Sequence, residues 1–186
     1  PYGSSTYMWR SSPPLRAFDV WNMLKNASLE SGSAPTYTPW TPMGAGTTLS
    51  VPSGGAKSGS RYLRAYTSVS GGSVYQDMTV PSVFGESYVF SVWARAASVS
   101  PSVSVVLWGL GGTNESTGTA VALSTSWKLI SAPLDVVQSG HTSLRAQMYL
   151  PVGVNVDFDN MEVIQVANKK ASFEDPNFVQ NPLPWQ

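Results

Sequence analysis

Apolar and polar residues alternate with a period of two through much of the chain. Between Ser87 and Arg95, Tyr88, Phe90, Val92 and Ala94 alternate with Val89, Ser91 and Trp93. Leu144, Ala146, Met148 and Leu150 oppose Arg145, Gln147 and Tyr149, and Val74, Gln76, Met78 and Val80 oppose Ser73, Tyr75, Asp77 and Thr79. Period two in runs rich in β-branched and aromatic residues predicts strands, whose successive side chains point to opposite faces. About ten such strands are predicted, near 20–29, 47–52, 61–68, 73–80, 86–95, 102–110, 117–124, 126–134, 142–150 and 154–166. Glycine and proline fall between these runs and punctuate them as turns. The expected class is all-β, a two-sheet antiparallel β-sandwich or jelly roll. Only 17–25 has a helical spacing, through Ala17, Phe18, Trp21 and Leu24, and no cap or second helical run supports a helix there.

Strand parity separates core from surface. If Tyr88, Phe90, Val92 and Ala94 face inward, Ser91, Trp93 and Arg95 face outward. Inward Leu144, Ala146 and Met148 leave Arg145, Gln147 and Tyr149 outward, and inward Val103, Val105 and Leu107 leave Ser104, Val106 and Trp108 outward. Gln76 falls on the core side with Met78, where its amide is expected to satisfy buried backbone groups. The last run breaks parity. Val156 and Phe158 share one face and Met161 and Val163 the other, so either a β-bulge sits near Asp159 or both faces are buried. Trp127 is expected in the core, Tyr37 and Trp40 against the first strand, and His141 solvated in a Ser-Gly turn.

Composition narrows the function. Eleven Lys+Arg balance eleven Asp+Glu, and charged residues make up only 12%. Without a cation surplus the chain is not expected to bind nucleic acid. Hydrophobic content of 42%, with seven Trp, eight Tyr and six Phe, excludes disorder. No apolar run reaches the length of a membrane span, and without cysteine there is no disulfide or thiolate chemistry.

The ends differ from the middle. Residues 1–16 read as a linker or the tail of a preceding unit, 17–167 as the β-domain, and 168–186 as a linker. Lys170-Ala-Ser-Phe-Glu-Asp175 echoes Asn26-Ala-Ser-Leu-Glu-Ser31, and a Trp follows each, at Trp185 and Trp40. That echo predicts a following repeat cut just inside its start, unless it is a chance match over six residues. The chain opens at Pro1 with no signal peptide and is expected to be a piece of a longer polypeptide.

Three ordered motifs now combine: Asn22-Met-Leu-Lys-Asn-Ala-Ser-Leu-Glu30 with its Pro/Gly-rich stretch to Trp40; Val74-Tyr-Gln-Asp-Met-Thr-Val80 followed by Glu86-Ser-Tyr-Val-Phe-Ser-Val-Trp-Ala-Arg95; and Thr125-Ser-Trp-Lys128, Arg145-Ala-Gln-Met-Tyr149 and Val156-Asp-Phe-Asp-Asn-Met-Glu-Val163. In this order they resemble the family 4/9 carbohydrate-binding modules and their family 22 relatives over about residues 18–167. Leu29 stands where the family has Phe, and Asp159-Asn160-Met161 where it has paired acids and Val. The resemblance implies a galactose-binding-domain-like jelly roll and a non-catalytic module of a larger secreted or cell-surface protein. Its partners would be a polysaccharide or oligosaccharide and neighbouring modules, such as a glycoside hydrolase. It also implies a structural calcium near where the first and last strands meet, at Glu30 and Asp159, with oxygens from the Gly54–Ser60 turn.

Sugars have apolar C–H faces and polar rims, so proteins hold them with aromatic platforms and planar hydrogen-bonding side chains. Trp93, Arg95, Arg145, Gln147 and Tyr149 supply those groups on faces expected to meet solvent, and Trp108 would extend them. If the strands of Trp93 and Tyr149 are neighbours in one sheet, these residues form one glycan patch. If the outer faces are covered, the same aromatics are ordinary packing. The runner-up reading is therefore a structural or adhesion module of the phage tail-fibre or surface-stalk type, without a sugar site. Catalysis is not expected. No G-x-S-x-G elbow accompanies His141, the acids are scattered rather than paired across a cleft, and Gly109-Leu-Gly-Gly-Thr-Asn114 lacks the Lys-Ser/Thr of a P-loop.

Overall fold

The computed structural model describes residues 22–79, 84–97 and 100–166. Its ten strands are β1 (Thr41–Met43), β2 (Thr47–Ser50), β3 (Leu63–Thr67), β4 (Ser73–Thr79), β5 (Ser87–Ala96), β6 (Ser102–Leu110), β7 (Glu115–Ala122), β8 (Lys128–Asp135), β9 (Ser143–Tyr149) and β10 (Val156–Val166). They form two five-stranded antiparallel sheets, ordered β1-β4-β9-β6-β7 and β2-β3-β10-β5-β8. The all-β sandwich expected from alternation is the fold observed.

The two inner faces make the core. Tyr88, Phe90, Val92 and Ala94 of β5 are buried, as are Leu144, Ala146 and Met148 of β9 and Val103, Val105 and Leu107 of β6. Each large apolar side chain removed from water here contributes about 1.5–3 kcal/mol. The sheets are also stitched at their edges. Thr119 Oγ1 on β7 donates to the Ser131 carbonyl on β8 at 2.8 Å, and Thr47 Oγ1 on β2 donates to the Met43 carbonyl on β1 at 2.9 Å.

The segment predicted as a strand near 20–29 is corrected: residues 22–29 run as turns and bends. Two backbone bonds still reach β10, from Met23 N–H to Val163 O at 2.9 Å and from Met161 N–H to Ala27 O at 3.1 Å, and side chains add to them. Asn22 Nδ2 donates to the Met161 carbonyl at 2.8 Å, and Asn22 Oδ1 accepts from the Val163 N–H at 3.0 Å. Gln76 clamps the same segment as its core-side position suggested, accepting from Lys25 N at 2.7 Å and donating to Lys25 O at 3.0 Å. Left-handed backbone at Asn26 (φ 47°) and Leu29 (φ 59°) turns the chain so that Leu24 and Leu29 both enter the core. Alternation does not reveal β1, a three-residue exposed edge strand containing Pro42. Trp40 is buried just before it, its Nε1 donating to Asn26 O at 3.3 Å.

The parity break resolves as a bulge. β10 pairs with β5 in register from Val156 to Asp159, then shifts before Glu162. The extra residue is absorbed around Asn160 (φ 45°), which lets Phe158 and Met161 both face the core while Asp159 and Glu162 lie on the other side. The linkers and terminal echo expected at 1–16 and 168–186 lie outside the described residues.

Candidate functional site

The outer face of the first sheet gathers four of the six predicted ligand residues. Register sets them in rows. Asp77, Arg145, Trp108 and Ser116 form one row across β4, β9, β6 and β7. The next holds Tyr75, Gln147, Val106 and Gly118, and the next Ser73, Tyr149, Ser104 and Ala120. Trp108 and Tyr149 lie four residues apart along the strands, about 13 Å at the usual rise. On β7 the facing residues Ser116, Gly118, Ala120 and Ala122 are small and exposed, so that side of the sheet is a low ledge.

Neighbouring side chains fix the polar groups of this face. Arg145 Nε donates to Asp77 Oδ1 at 2.6 Å and Arg145 Nη2 to Asp77 Oδ2 at 2.8 Å. These bonds push the guanidinium pKa above its ordinary value. The same guanidinium lies over the Tyr75 ring, 4.0 Å from its centroid. Gln147 is buried in the floor, its Nε2 donating to Ser73 Oγ at 2.8 Å and lying 3.6 Å from Met43 Sδ. Tyr149, Trp108, Tyr75 and Arg145 are half-buried, with surface left for contact. The Nε1 of Trp108 is buried and has no acceptor among the described residues. Asp77 and Tyr75 complete this face but were not singled out from sequence. The alternation of 73–80 places them outward, yet nothing in it says that their strand flanks that of Tyr149.

Trp93 and Arg95 do not join this patch, which corrects the single-patch expectation. Their strand β5 belongs to the second sheet, so their outer face is on the opposite side of the sandwich. Arg95 is engaged there by neighbours. Its Nε donates to Asp157 Oδ2 at 3.1 Å, and its guanidinium packs over Tyr62 and Trp127, 5.2 and 4.5 Å from their centroids. Arg64 grips the same buried carboxylate, Nε to Oδ1 at 2.7 Å and Nη2 to Oδ2 at 3.0 Å. The segment 52–62 crosses over this network, with Trp127 Nε1 donating to the Gly55 carbonyl at 3.3 Å. Trp127 is thus a half-buried cover residue rather than a core one. Trp93 carries the Lys57 ammonium 4.1 Å from its ring centroid.

Glu30 and Asp159 converge on one turn. Glu30 Oε1 accepts from the N–H groups of Ser60 (2.7 Å) and Arg61 (2.6 Å), and Oε2 from Ser60 Oγ at 2.9 Å. Asp159 Oδ2 accepts from the N–H groups of Lys57 (2.8 Å) and Ser58 (3.0 Å), and Oδ1 from its neighbour Asn160 at 2.7 Å. The donors of Arg61 and Ser60 hold the Glu30 carboxyl below its ordinary range. Burial pushes the Asp159 carboxyl up and the nearby Glu30 charge adds to this, although its three N–H donors oppose it. Two carboxylates thus meet a glycine-rich turn through its N–H groups and the Ser60 hydroxyl, whereas a calcium ion collects oxygens alone. Among the described residues no group of three or more acidic, His or Cys side chains gathers for a metal, so carbonyls would have to complete any shell.

His141 is buried rather than solvated. Its Nδ1 bonds the Gly111 carbonyl and its Nε2 bonds Glu115 Oε1, each at 2.8 Å. Gly109 makes room for the ring, since a Cβ there would lie 2.8 Å from Nε2.

Comparison with known proteins now adds to this geometry. No curated protein matches the chain. Solved structures share its fold at low identity. The module TmCBM61, solved in complex with β-1,4-galactotriose, is 18% identical with a TM-score of 0.55, covering 78% of this chain and 99% of its own. The xylan-binding CBM22 domain from Paenibacillus barcinonensis Xyn10C is 14% identical with a TM-score of 0.61, covering 79% and 96%. A Stig cyclase from Fischerella sp. TAU, solved with an indole-containing ligand, is 14% identical with a TM-score of 0.62, covering 81% and 99%. The family 4/9 model described as a carbohydrate binding domain matches residues 21–156, and the chain belongs to that family.

Proposed function

We propose that the outer face of the first sheet is a saccharide platform, and that the protein is a non-catalytic module adsorbing a larger secreted, multimodular protein to a polysaccharide. The observation that carries this reading is the contiguous register of Asp77, Arg145 and Trp108 beside Tyr75, Gln147 and Tyr149. Trp108 and Tyr149 offer apolar surface to the C–H faces of two pyranose rings. Arg145 and Asp77 supply donors and acceptors to the hydroxyl rim, above a floor that holds the buried Gln147. Their mutual bonds hold them in place before a ligand arrives, which reduces the ordering cost of binding. The flat ledge of β7 leaves a chain free to continue past the platform. The substrate class is a neutral glycan, because Asp77 already matches Arg145, the one cation on this face among the described residues. Relatives whose printed names include galactotriose and xylan support a neutral polysaccharide. Adsorption works by raising the local concentration of whatever is attached.

We also propose that Glu30 and Asp159, with carbonyls of the 54–60 turn, hold a structural calcium. It would neutralise two neighbouring carboxylates and tie the 22–31 segment to the bulge of β10. Its part is stability and not chemistry on the sugar.

Electrophoresis through gels containing xylan, galactan, glucan or mannan tests the main reading. The protein is expected to be retarded on at least one, and Trp108→Ala and Tyr149→Ala each to lose most of that retardation. No retardation on any polymer overturns the reading in favour of a structural module. Release of reducing ends would overturn its non-catalytic part.

A further inference from the structure

We infer that the second sheet carries a separate binding site for a hydroxyl-rich neutral ligand, such as the end of a saccharide, in the cleft between the 22–31 segment and β5, β8 and β10. This goes beyond the platform on the opposite face and does not depend on it.

The cleft has a volume of about 610 Å³ and is lined by Asn26, Ser28, Trp93, Leu129, Asn160 and Glu162, among others. Four observations converge on it. First, Asn26 Nδ2 donates to two carbonyls, Thr36 O at 2.8 Å and Thr38 O at 3.1 Å. Both partners can only accept, which fixes the amide orientation. Its Oδ1 is then buried with no donor among the described residues. A buried acceptor without a donor is costly; because Oδ1 is closed to solvent, a ligand hydroxyl relieves it only where binding opens the Asn26 wall. Second, Asn26 and Asn160 both hold left-handed φ, 47° and 45°. Asn160 does so at the bulge, which sets Glu162 on the outer side with Asp159. Strain of this kind collects where a surface is shaped for contact. Third, Trp93 and Leu129 are register partners on β5 and β8, and Leu129 is 49% exposed. They form an apolar step beside the polar wall, the pairing of surfaces a pyranose presents. Fourth, none of the described residues that line the cleft is itself cationic, and Glu162 is acidic. Anionic ligands such as phosphates or uronates are therefore disfavoured, while acceptors dominate. Lys57 sits on one side of the Trp93 ring, so the ring contributes its remaining surface rather than a full stacking face.

The test follows the indole N–H resonances of ¹⁵N-labelled protein, with Trp93 and Trp108 assigned by their Phe variants. The probes are xylo-, cello-, manno- and galacto-oligosaccharides and their monosaccharides. The expected result is that Trp93 shifts with at least one probe, along its own saturation curve. Leu129→Gln and Glu162→Gln, both at exposed positions, are expected to weaken that curve about tenfold and to leave any Trp108 curve unchanged. A Trp93 resonance that stays still through millimolar sugar across the panel overturns the inference, whatever Trp108 does. So does a Trp93 shift that both variants leave intact. A silent Trp108 with a responsive Trp93 would instead remove the platform on the opposite face and keep this site.

Discussion

Arg145 lies over the ring of Tyr75, 4.0 Å from its centroid, while its fork holds both oxygens of Asp77. One guanidinium thus caps an aromatic on β4 and fixes the polar rim of the platform. Lysine can carry the charge but neither the planar stack nor the two parallel bonds. Arg145→Lys is therefore expected to lose most of the polysaccharide retardation that Arg145→Ala loses. Both partners keep solvent exposure, with Asp77 at 44%, so either variant should change unfolding free energy by less than about 1 kcal/mol. Affinity gels beside urea denaturation check this. A lysine variant that binds like the parent would show that charge alone suffices.

Asp157 predicts the opposite pattern. Its buried carboxylate lies between Arg64 and Arg95 on the far face of the sandwich. Asp157→Asn leaves two guanidiniums facing one another without their shared anion, and breaking a buried pair costs about 3–5 kcal/mol. The variant is expected to melt well below the parent yet, where folded, to migrate like it in polysaccharide gels. Lost retardation in fully folded Asp157→Asn protein would mean that the two faces are coupled.

Alternation made the strands legible because burying one face of a sheet leaves a period-two trace. Tyr88, Phe90, Val92 and Ala94 are inside for that reason, and the parity slip after Phe158 allows a bulge or burial of both faces, of which the register shift selects the bulge. Parity says which way a side chain points but not which strand lies beside it. Trp93 and Tyr149 both read as outward, and they are, on opposite sides of the molecule. The glycine- and serine-rich 52–62 segment has no apolar pattern, so nothing announced that it crosses Arg95. The 22–29 segment is held by Asn22 and Gln76 side chains beside two isolated backbone bonds to β10, and its leucines imitate a strand. The convergence of Glu30 and Asp159 on the 54–60 turn was reached through family resemblance rather than through spacing.

That turn supports a prediction about metal. If calcium joins Glu30 to Asp159, EDTA should lower the melting temperature and added calcium should restore it. Binding at about 100 times its dissociation constant stabilises by about 2.7 kcal/mol. Asp159→Asn, which replaces a carboxylate that accepts three backbone N–H groups, should be less stable and no longer respond to EDTA. Differential scanning calorimetry with and without chelator measures both. A parent midpoint that ignores EDTA removes the ion and leaves the carboxylates as caps for the turn.

Glu115 and His141 give the fold a pH-dependent latch at one end of the sandwich. Burial alone would push the Glu115 carboxyl up. The N–H groups of Gln138 and Val137 and the His141 ring outweigh it and hold the carboxyl below its ordinary 4.5. With the folded value depressed, the unfolded chain binds more protons through that window. The contribution is therefore present above pH 4.5 and is lost as pH falls through the lower folded value. Glu115→Gln should flatten the fall of melting temperature below pH 4.5 while lowering the midpoint at neutral pH. His141→Phe keeps the ring but leaves the Gly111 carbonyl and Glu115 without it, at a cost of about 1–3 kcal/mol. Melting curves from neutral pH into the acid range separate the two effects. An acid limb unchanged in Glu115→Gln would mean that other carboxylates govern acid unfolding and that this latch is only local.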